Sequence, residues 1–190
     1  MGGGRSHSRS RGGGSGSSET PDRENGLELY RKFVEGGSPE IHEMLGYDSI
    51  NSRPSGQINE KAARDLDSVF SPASSDMLVY KGMPVTEADL ARISNGTYRN
   101  PTISSTSTSK TTAEFYAGNA DFEFTSPLTM NIRVKRGTRI ADAQKLLGTT
   151  GMKNFEKEIT IGRNTTWNFK NLRSTIRDEE IYWTVDVTVS

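Results

Sequence analysis

The sequence contains no cysteine and, among its 190 residues, only two histidines, His7 and His42. A chain without thiols can form neither disulfides nor thiolate metal sites, and two histidines are too few for a histidine-rich site. These absences exclude a disulfide-stabilised fold and lead us to expect a protein without a bound metal.

The sequence also lacks an excess of charge and long apolar runs. Lys and Arg together number 24, as do Asp and Glu, so no global electrostatic attraction to nucleic acid or membranes is expected. No stretch approaches the roughly 18 apolar residues of a membrane span, and no apolar segment near the N-terminus is typical of a signal peptide. We expect a soluble monomer without a cleavable signal peptide, with no membrane partner, and with nucleic acid disfavoured as a partner.

The first 25 residues differ in composition from the rest of the chain. They are rich in Gly, Ser and Arg, with glycine runs at 2–4 and 12–14 and almost nothing apolar to bury. Such composition is typical of disorder. The sequence therefore predicts a disordered tail over 1–25 and a single folded domain over 26–190.

Helical spacing of apolar residues characterises the first half of the folded part. It predicts a helix that stops at Gly36-Gly37, a second that starts with Ser38 as N-cap and Pro39 at the first helical position, and a third capped by Asn59. Thr86 and Asp89 form a capping pattern for a fourth helix, and Thr111 or Thr112 can cap a fifth. The apolar residues of the first three helices are Leu27, Tyr30, Phe33 and Val34, then Ile41 and Leu45, then Ala62, Leu66, Val69 and Phe70.

The second half of the chain is typical of β-strands. Met77 to Tyr80 reads as a buried strand that ends in a tight turn at Gly82, which would place Lys81 and Gly82 at the edge of the sheet. The short links at 135–137 and 162–164 suggest hairpins. Helices followed by strands indicate an α+β domain with a mostly antiparallel sheet or sandwich. The further predicted strands are 122–124, 128–134, 138–141, 155–161, 166–169 and 181–189.

Two glutamates, Glu156 and Glu158, lie two residues apart in a predicted strand. On a strand they would share one face about 7 Å apart, where their repulsion is only ~0.6 to 2.4 kcal/mol, so both stay ionised near pH 7 unless buried. Two anions side by side favour a cationic partner. Taken alone, however, the pair is most simply the solvated face of an edge strand. In the same way, Lys81 alone is most simply a surface lysine at a strand end.

Three segments in order carry a resemblance to a known family: Tyr80-Lys81-Gly82, Ile103-Ser104-Ser105-Thr106-Ser107 and Glu156-Lys157-Glu158. They resemble the motifs of the R-S-E clade of mono-ADP-ribosyltransferases, which includes the binary actin-modifying toxins and several phage and effector transferases. The resemblance covers roughly Met77 to the C-terminus. It implies a helical N-terminal lobe packed on a mostly antiparallel two-sheet β core. One position departs, because the family has arginine where this chain has Lys81, and lysine lacks the planar fork that suits phosphate.

The resemblance also implies roles for the glutamates and their neighbours. Glu158 would bind the nicotinamide-ribose hydroxyl of NAD and stabilise the developing cation, while Glu156 would orient and deprotonate the acceptor. Ser105 would brace the catalytic glutamate, and Lys81 would contact the NAD phosphate and ribose. The other residues expected at the NAD site are Gly82, Thr106, Ser107, Phe122 and Phe124. NAD would be the co-substrate, and no metal would be needed.

Gly82 lacks a Cβ and would let the nicotinamide amide approach the backbone. For Phe122 and Phe124 two alternatives stay open: they could cover the nicotinamide, or they could alternate into the core. Breaking the N-glycosidic bond of NAD develops positive charge on the ribose, which suits anions placed beside it.

The identity of the acceptor is inferred from the first glutamate of the pair. In the family, Glu-x-Glu accompanies arginine acceptors, which fits bidentate pairing of a carboxylate with a guanidinium. The acceptor would then be a protein of the producing or target host cell, reached in its cytosol, and residues 147–154 would form the recognition loop. Rival functions are an NAD glycohydrolase or a nucleic-acid ADP-ribosyltransferase on the same fold, or a non-catalytic binding module in which Lys81 marks a degenerate site.

Overall fold

The computed structural model describes residues 19–49, 53–94, 96–118, 124–148 and 157–190. Its helices are α1 (Arg23–Val34), α2 (Ser38–Met44), α3 (Glu60–Asp67), α4 (Glu87–Ser94), α5 (Lys110–Gly118) and α6 (Ala143–Leu147). Its strands are β1 (Tyr47–Asp48), β2 (Arg53–Pro54), β3 (Ser71–Pro72), β4 (Met77–Val85), β5 (Thr97–Asn100), β6 (Ser104–Ser107), β7 (Ser126–Val134), β8 (Arg139–Asp142), β9 (Glu158–Ile161), β10 (Thr165–Arg177) and β11 (Glu180–Val189).

Nine of the strands form one hydrogen-bonded sheet in the order β3-β8-β9-β6-β4-β7-β11-β10-β5. Its pairings are antiparallel except for β7 with β11, which run parallel. In the described residues, β6 and β4 are joined through one residue pair, Tyr80 with Ser107. The sheet therefore divides into a four-stranded half and a five-stranded half, and the predicted α+β fold with a two-sheet core is confirmed.

The buried apolar residues form two hydrophobic cores, and the four-stranded half of the sheet contributes to both. The first core lies under the helical lobe formed by α1, α2 and α3 and includes Tyr30, Phe33 and Leu66, which contact Ile103 and Ala141 of the four-stranded half. The second core is built on β4, β7, β10 and β11, with Val79, Ile132 and Val185 fully buried. In the described parts of the chain, no helix is both long and apolar enough to cross a membrane.

Local signals in the sequence place several helix ends correctly. Asn59 caps α3 by accepting from the amide of Ala62 at 3.1 Å. Thr86 and Asp89 form a reciprocal cap on α4, in which the Asp89 carboxylate accepts from the Thr86 amide at 3.0 Å and the Thr86 hydroxyl accepts from the Asp89 amide at 3.2 Å. Capping patterns within four residues were thus sufficient to locate these ends.

Other helix ends differ from the predictions. Helix α1 begins at Arg23, inside the range read as a tail, because Asp22 caps it through the Asn25 amide at 3.1 Å. Gly37, and not Ser38, is the N-cap of α2. Ser109 caps α5 by accepting from the Thr112 amide at 3.3 Å, so α5 starts before the threonines that we expected to cap it.

Strand β4 shows the largest difference from the sequence-based prediction. It does not turn at Gly82 but continues to Val85, since Lys81 and Gly82 pair with Met130 and Thr129 of β7. With β6 on one side and β7 on the other, β4 is an internal strand of the sheet. Lys81 therefore lies in the middle of the sheet, and its placement at an edge was wrong.

The short links at 135–137 and 162–164 are not hairpins. Strand β7 does not pair with β8, and β9 does not pair with β10, because each link carries the chain from one half of the sheet to the other. A hairpin does join β10 to β11, through Asp178 and Glu179 at φ of 49° and 68°. Two successive residues with positive φ are typical of the tight turns that match strand twist.

Candidate active site

The three sequence motifs meet where the two halves of the sheet join. Ser107 of β6 pairs with Glu158 of β9 on one side and with Tyr80 of β4 on the other. Ser105 lies two residues earlier on β6, opposite Thr160. The fold thus brings together Lys81, Ser105 and Glu158, which lie 24 and 53 positions apart in the sequence.

Hydrogen bonds connect the predicted site residues into a continuous line. The Lys81 ammonium donates to the Ser105 carbonyl at 2.9 Å, and the Ser105 hydroxyl donates to Glu158 Oε1 at 2.5 Å. The Thr160 hydroxyl donates to the same Glu158 oxygen at 3.4 Å. Both of these hydroxyls reach Oε1 and so orient the carboxylate.

Burial and charge act in opposite directions on Glu158 and Lys81. Burial raises the pKa of Glu158, while the hydrogen bond from Ser105 and the charge of Lys81 oppose that rise. Burial lowers the pKa of Lys81, and the Glu158 carboxylate opposes that fall. Each charged group is therefore maintained by the other in a site that disfavours charge.

A cavity of about 610 Å³ opens beside this line. Lys81 and Ser105 form part of its wall, and the rest is mainly apolar, with side chains from the helical lobe and from the five-stranded half. A mainly apolar pocket with a few convergent polar groups, within roughly 300 to 1,000 Å³, is typical of small-molecule sites. The main apolar and aromatic contributors are Phe33, Tyr47, Met83, Val85, Tyr98, Met130 and Trp167.

His42 lines the same cavity, although the sequence offered no reason to place it there. Its Nδ1 and the Thr102 hydroxyl oxygen are hydrogen bonded at 2.5 Å, and its ring meets Phe33 edge to face. Burial, followed by the nearby charge of Lys81, lowers the pKa of His42 to about 4. The imidazole is therefore neutral at pH 7 and adds no charge to the cavity. The amphipathic pattern of α2 predicted helical structure but not this contact, which depends on residues 60 positions apart.

Gly82 faces a helix and not the cavity. A Cβ built on it would lie 1.6 Å from the Ala113 carbonyl oxygen of α5. Its neighbours Lys81 and Met83 point to the opposite side of β4, where they line the cavity. The missing side chain is thus required for the close packing of α5 on β4, and access of the nicotinamide to the backbone stays a prediction.

Thr106 and Ser107 hold local structure around Ser105. The buried Thr106 hydroxyl donates to the Ile159 carbonyl at 2.5 Å and so ties β6 to β9. The Ser107 hydroxyl accepts from the Ser109 amide at 3.0 Å, just before α5. Contact of either residue with NAD stays a prediction.

The two phenylalanines expected near the nicotinamide are only partly described. Phe124 lies in the turn before β7 with a φ of 65° and is 92% exposed, so its interpretation as a core strand residue was wrong. Phe122, Glu156 and residues 149–154 of the expected recognition loop lie outside the described residues. Their predicted roles stay predictions.

The turn after β9 is anchored to the helical lobe. Arg163 Nε donates to both carboxylate oxygens of Asp67 at 2.9 Å, which ties this turn to the end of α3. Asn164 follows with a φ of 60°. Within the described residues there is no group of three or more His, Asp or Glu side chains placed to hold a metal ion.

No family model matches the sequence, and no curated protein is significantly similar to it. Solved structures do resemble its fold. The C3larvin toxin of Paenibacillus larvae, an ADP-ribosyltransferase, superposes with a TM-score of 0.55 and 16% identity over 88% of each chain. The ADP-ribosylating toxin BECa of C. perfringens, solved with NADH, gives a TM-score of 0.59 and 13% identity over 87% of this chain and 43% of BECa.

The ADP-ribosyltransferase Vis of Vibrio splendidus is similar as well. Its complex with agmatine superposes with a TM-score of 0.58 and 17% identity, over 86% of this chain and 74% of Vis. The chain therefore has the fold of ADP-ribosyltransferase toxins, as its three motifs predicted.

Proposed function

We propose that the protein is an NAD-dependent mono-ADP-ribosyltransferase that modifies arginine in a protein acceptor. The observation that carries the proposal is the hydrogen-bonded line from Lys81 through Ser105 to Glu158, of which Lys81 and Ser105 lie in the wall of the large cavity. The fold supports it, since the similar solved structures are ADP-ribosyltransferases and one of them was solved with NADH.

Lys81 is the group proposed to meet the NAD pyrophosphate. It lies in the cavity wall as a half-buried cation, and cations in such surroundings attract phosphate strongly. An ammonium is a point charge, however, and cannot form the two parallel bonds of a guanidinium. We therefore expect NAD to bind more weakly than it would with arginine at this position.

Glu158 is proposed to act on the bond between the nicotinamide and the ribose. When that bond breaks, its electron pair leaves with the nicotinamide, and positive charge develops on the ribose. A carboxylate already oriented by Ser105 and Thr160 stabilises this charge without reorganising, which is how fixed groups lower a barrier. The proposal assigns the stabilisation to this anion and does not require a metal ion.

Arginine is proposed as the acceptor because the first glutamate of the pair suits a guanidinium. Glu156 would pair with the guanidinium and accept the proton it loses when its nitrogen bonds to the ribose. The complex of Vis with agmatine supports this choice, since agmatine also carries a guanidinium.

The test is incubation with NAD labelled in the adenylate half, a set of candidate proteins, and free agmatine. We expect label on protein or agmatine together with nicotinamide release, and loss of both in Glu158→Gln. Glu179→Gln, at the exposed turn between β10 and β11, is the matched control and should remain active. Nicotinamide release without label transfer would indicate a glycohydrolase, and label on nucleic acid would move the acceptor to that class. Absence of saturable NAD binding by calorimetry would identify a non-catalytic module and refute the proposal.

A further inference from the structure

Behind Glu158, a second hydrogen-bonded line leads into the helical lobe. The Thr160 hydroxyl, which donates to Glu158 Oε1, lies 2.9 Å from the hydroxyl of Tyr30 on α1. Tyr30 is fully buried, and its hydroxyl also lies 3.3 Å from the Ala141 carbonyl. Residues 130 positions apart in the sequence are thus connected directly behind the proposed catalytic carboxylate.

The protons on this line can be assigned by counting donors. Tyr30 and Thr160 each carry one hydroxyl proton, and burial raises the pKa of Tyr30 well above its ordinary value, so the phenol stays protonated. Glu158 can only accept while it is ionised. The Tyr30 proton has two acceptors in reach, the Thr160 hydroxyl at 2.9 Å and the Ala141 carbonyl at 3.3 Å, and the shorter contact is favoured. The arrangement therefore has Tyr30 donating to Thr160 and Thr160 donating to Glu158, with each bond polarising the next.

We propose that Tyr30 is a positioning residue for Glu158, because its hydroxyl commits the Thr160 proton to Glu158 Oε1. Removal of the phenol hydroxyl frees the Thr160 proton to turn elsewhere. Glu158 then keeps Ser105 as its hydroxyl donor on this side and loses part of its fixed orientation. The helical lobe thereby contributes to the reaction without touching the substrate.

The packing around Tyr30 makes this contribution separable from stability. Its ring meets Phe70 edge to face, with centroids 5.9 Å apart, and Tyr30→Phe keeps that contact while deleting only the hydroxyl. Thr160→Val deletes the next hydroxyl at nearly constant volume, whereas Thr160→Ser retains it. Thr138→Val is the matched control, since it removes another buried threonine hydroxyl, one that donates to the Val189 carbonyl at 3.3 Å.

The direct measurement is the pKa of Glu158 in the protein without NAD, by NMR of ¹³C-labelled glutamate with Glu158→Gln to assign the signal. Among the described residues, the charged or titratable groups that act on Glu158 are Lys81 from β4 and Tyr30 from α1, and Asp142 from β8 acts on Tyr30. Because the Thr160 bond lowers the pKa of Glu158, we expect a higher pKa in Tyr30→Phe and Thr160→Val. Thr160→Ser and Thr138→Val should match the wild type. An unchanged pKa of Glu158 in Tyr30→Phe would overturn the inference, whether or not Thr160→Val shifts it.

The kinetic measurement rests on the proposed function. We expect kcat for nicotinamide release to fall about three- to tenfold in Tyr30→Phe, with KM for NAD nearly unchanged, because the deleted hydrogen bond joins two neutral hydroxyls and orients Glu158 only through Thr160. The double variant with Thr160→Val should be no slower than Thr160→Val alone, since both changes break one line. Additive losses would overturn the inference. A wild-type protein inactive on NAD would refute the proposed function, while the NMR titration would still decide the role of Tyr30.

Discussion

Substitution of Gly82 by alanine should destabilise the fold by crowding α5 against β4. The added Cβ would lie 1.6 Å from the Ala113 carbonyl oxygen and 2.8 Å from the Ala117 amide nitrogen. Ordinary contact begins near 3.4 Å, so the first distance must grow by about 1.8 Å. Both neighbours are backbone atoms, and no rotamer change can relieve the overlap. Helix α5 would have to move as a body away from the strand that carries Lys81.

The size of this effect follows from the cost of overpacking. Extra methylenes in a packed interior cost roughly 1 to 3 kcal/mol, and an overlap with helix backbone belongs at the upper end, about 3 kcal/mol. For a domain of this size, 1 kcal/mol shifts the melting temperature by about 2 to 4 °C. Gly82→Ala should therefore melt about 6 to 12 °C below the wild type.

Thermal unfolding followed by circular dichroism, without NAD, measures this difference. Gly56→Ala is the matched control, because a Cβ there meets no atom within 4 Å, and its melting temperature should change by no more than about 2 °C. If Gly82 served only to admit the nicotinamide, Gly82→Ala would melt like the wild type and would show only a raised KM for NAD. That result would refute the packing argument.

The remaining predictions concern two charged side chains. Lys81→Met should abolish NAD binding, because it removes the cation proposed to meet the pyrophosphate; calorimetric titration measures this, and unchanged NAD binding would contradict the reasoning. Since the pKa of Lys81 is lowered, its ammonium loses its charge at alkaline pH, and KM for NAD should rise there in the wild type. In Lys81→Arg the charge is kept, so KM should stay level; parallel pH profiles of KM in the two proteins would count against this. Asp65→Asn should lower the melting temperature at pH 7, because Asp65 accepts from the Asn25 amide group and the Asp22 amide at 2.8 Å each. These bonds lower the pKa of Asp65, so the stabilisation they give is present above the ordinary aspartate pKa and is lost as the pH falls below it. The difference in melting temperature between Asp65→Asn and the wild type should therefore be smaller at pH 3 than at pH 7. An equal difference at both pH values would exclude this linkage.

The sequence by itself determined the features that depend on near neighbours in the chain. Apolar spacing located the first three helices, and short-range caps such as Asn59 fixed several helix ends, whereas α6 was not predicted. The three motifs, read in order, predicted the fold that the similar structures confirm. Each helix signal and each single motif lies within about ten residues, where local sterics and hydrogen bonding act.

Pairing between strands and the environment of the site were decided by the tertiary structure. Lys81 was predicted at an edge because Gly82 suggested a turn, but pairing with β7 carries the strand onward and places the lysine, half-buried, between two other strands. The reason for Gly82 itself lies in α5, about 30 positions later. No local pattern reports which helix will pack on a strand.

The surroundings of Glu158 show the same division. Its identity and its partner Ser105 followed from the motifs, whereas the line through Thr160 to Tyr30 did not, because Tyr30 read only as an apolar position on its helix. Burial makes that hydroxyl significant, and burial is a property of the assembled lobe and sheet. The sequence thus determined which groups are present, and only the fold decided which of them are desolvated together and so act on one another.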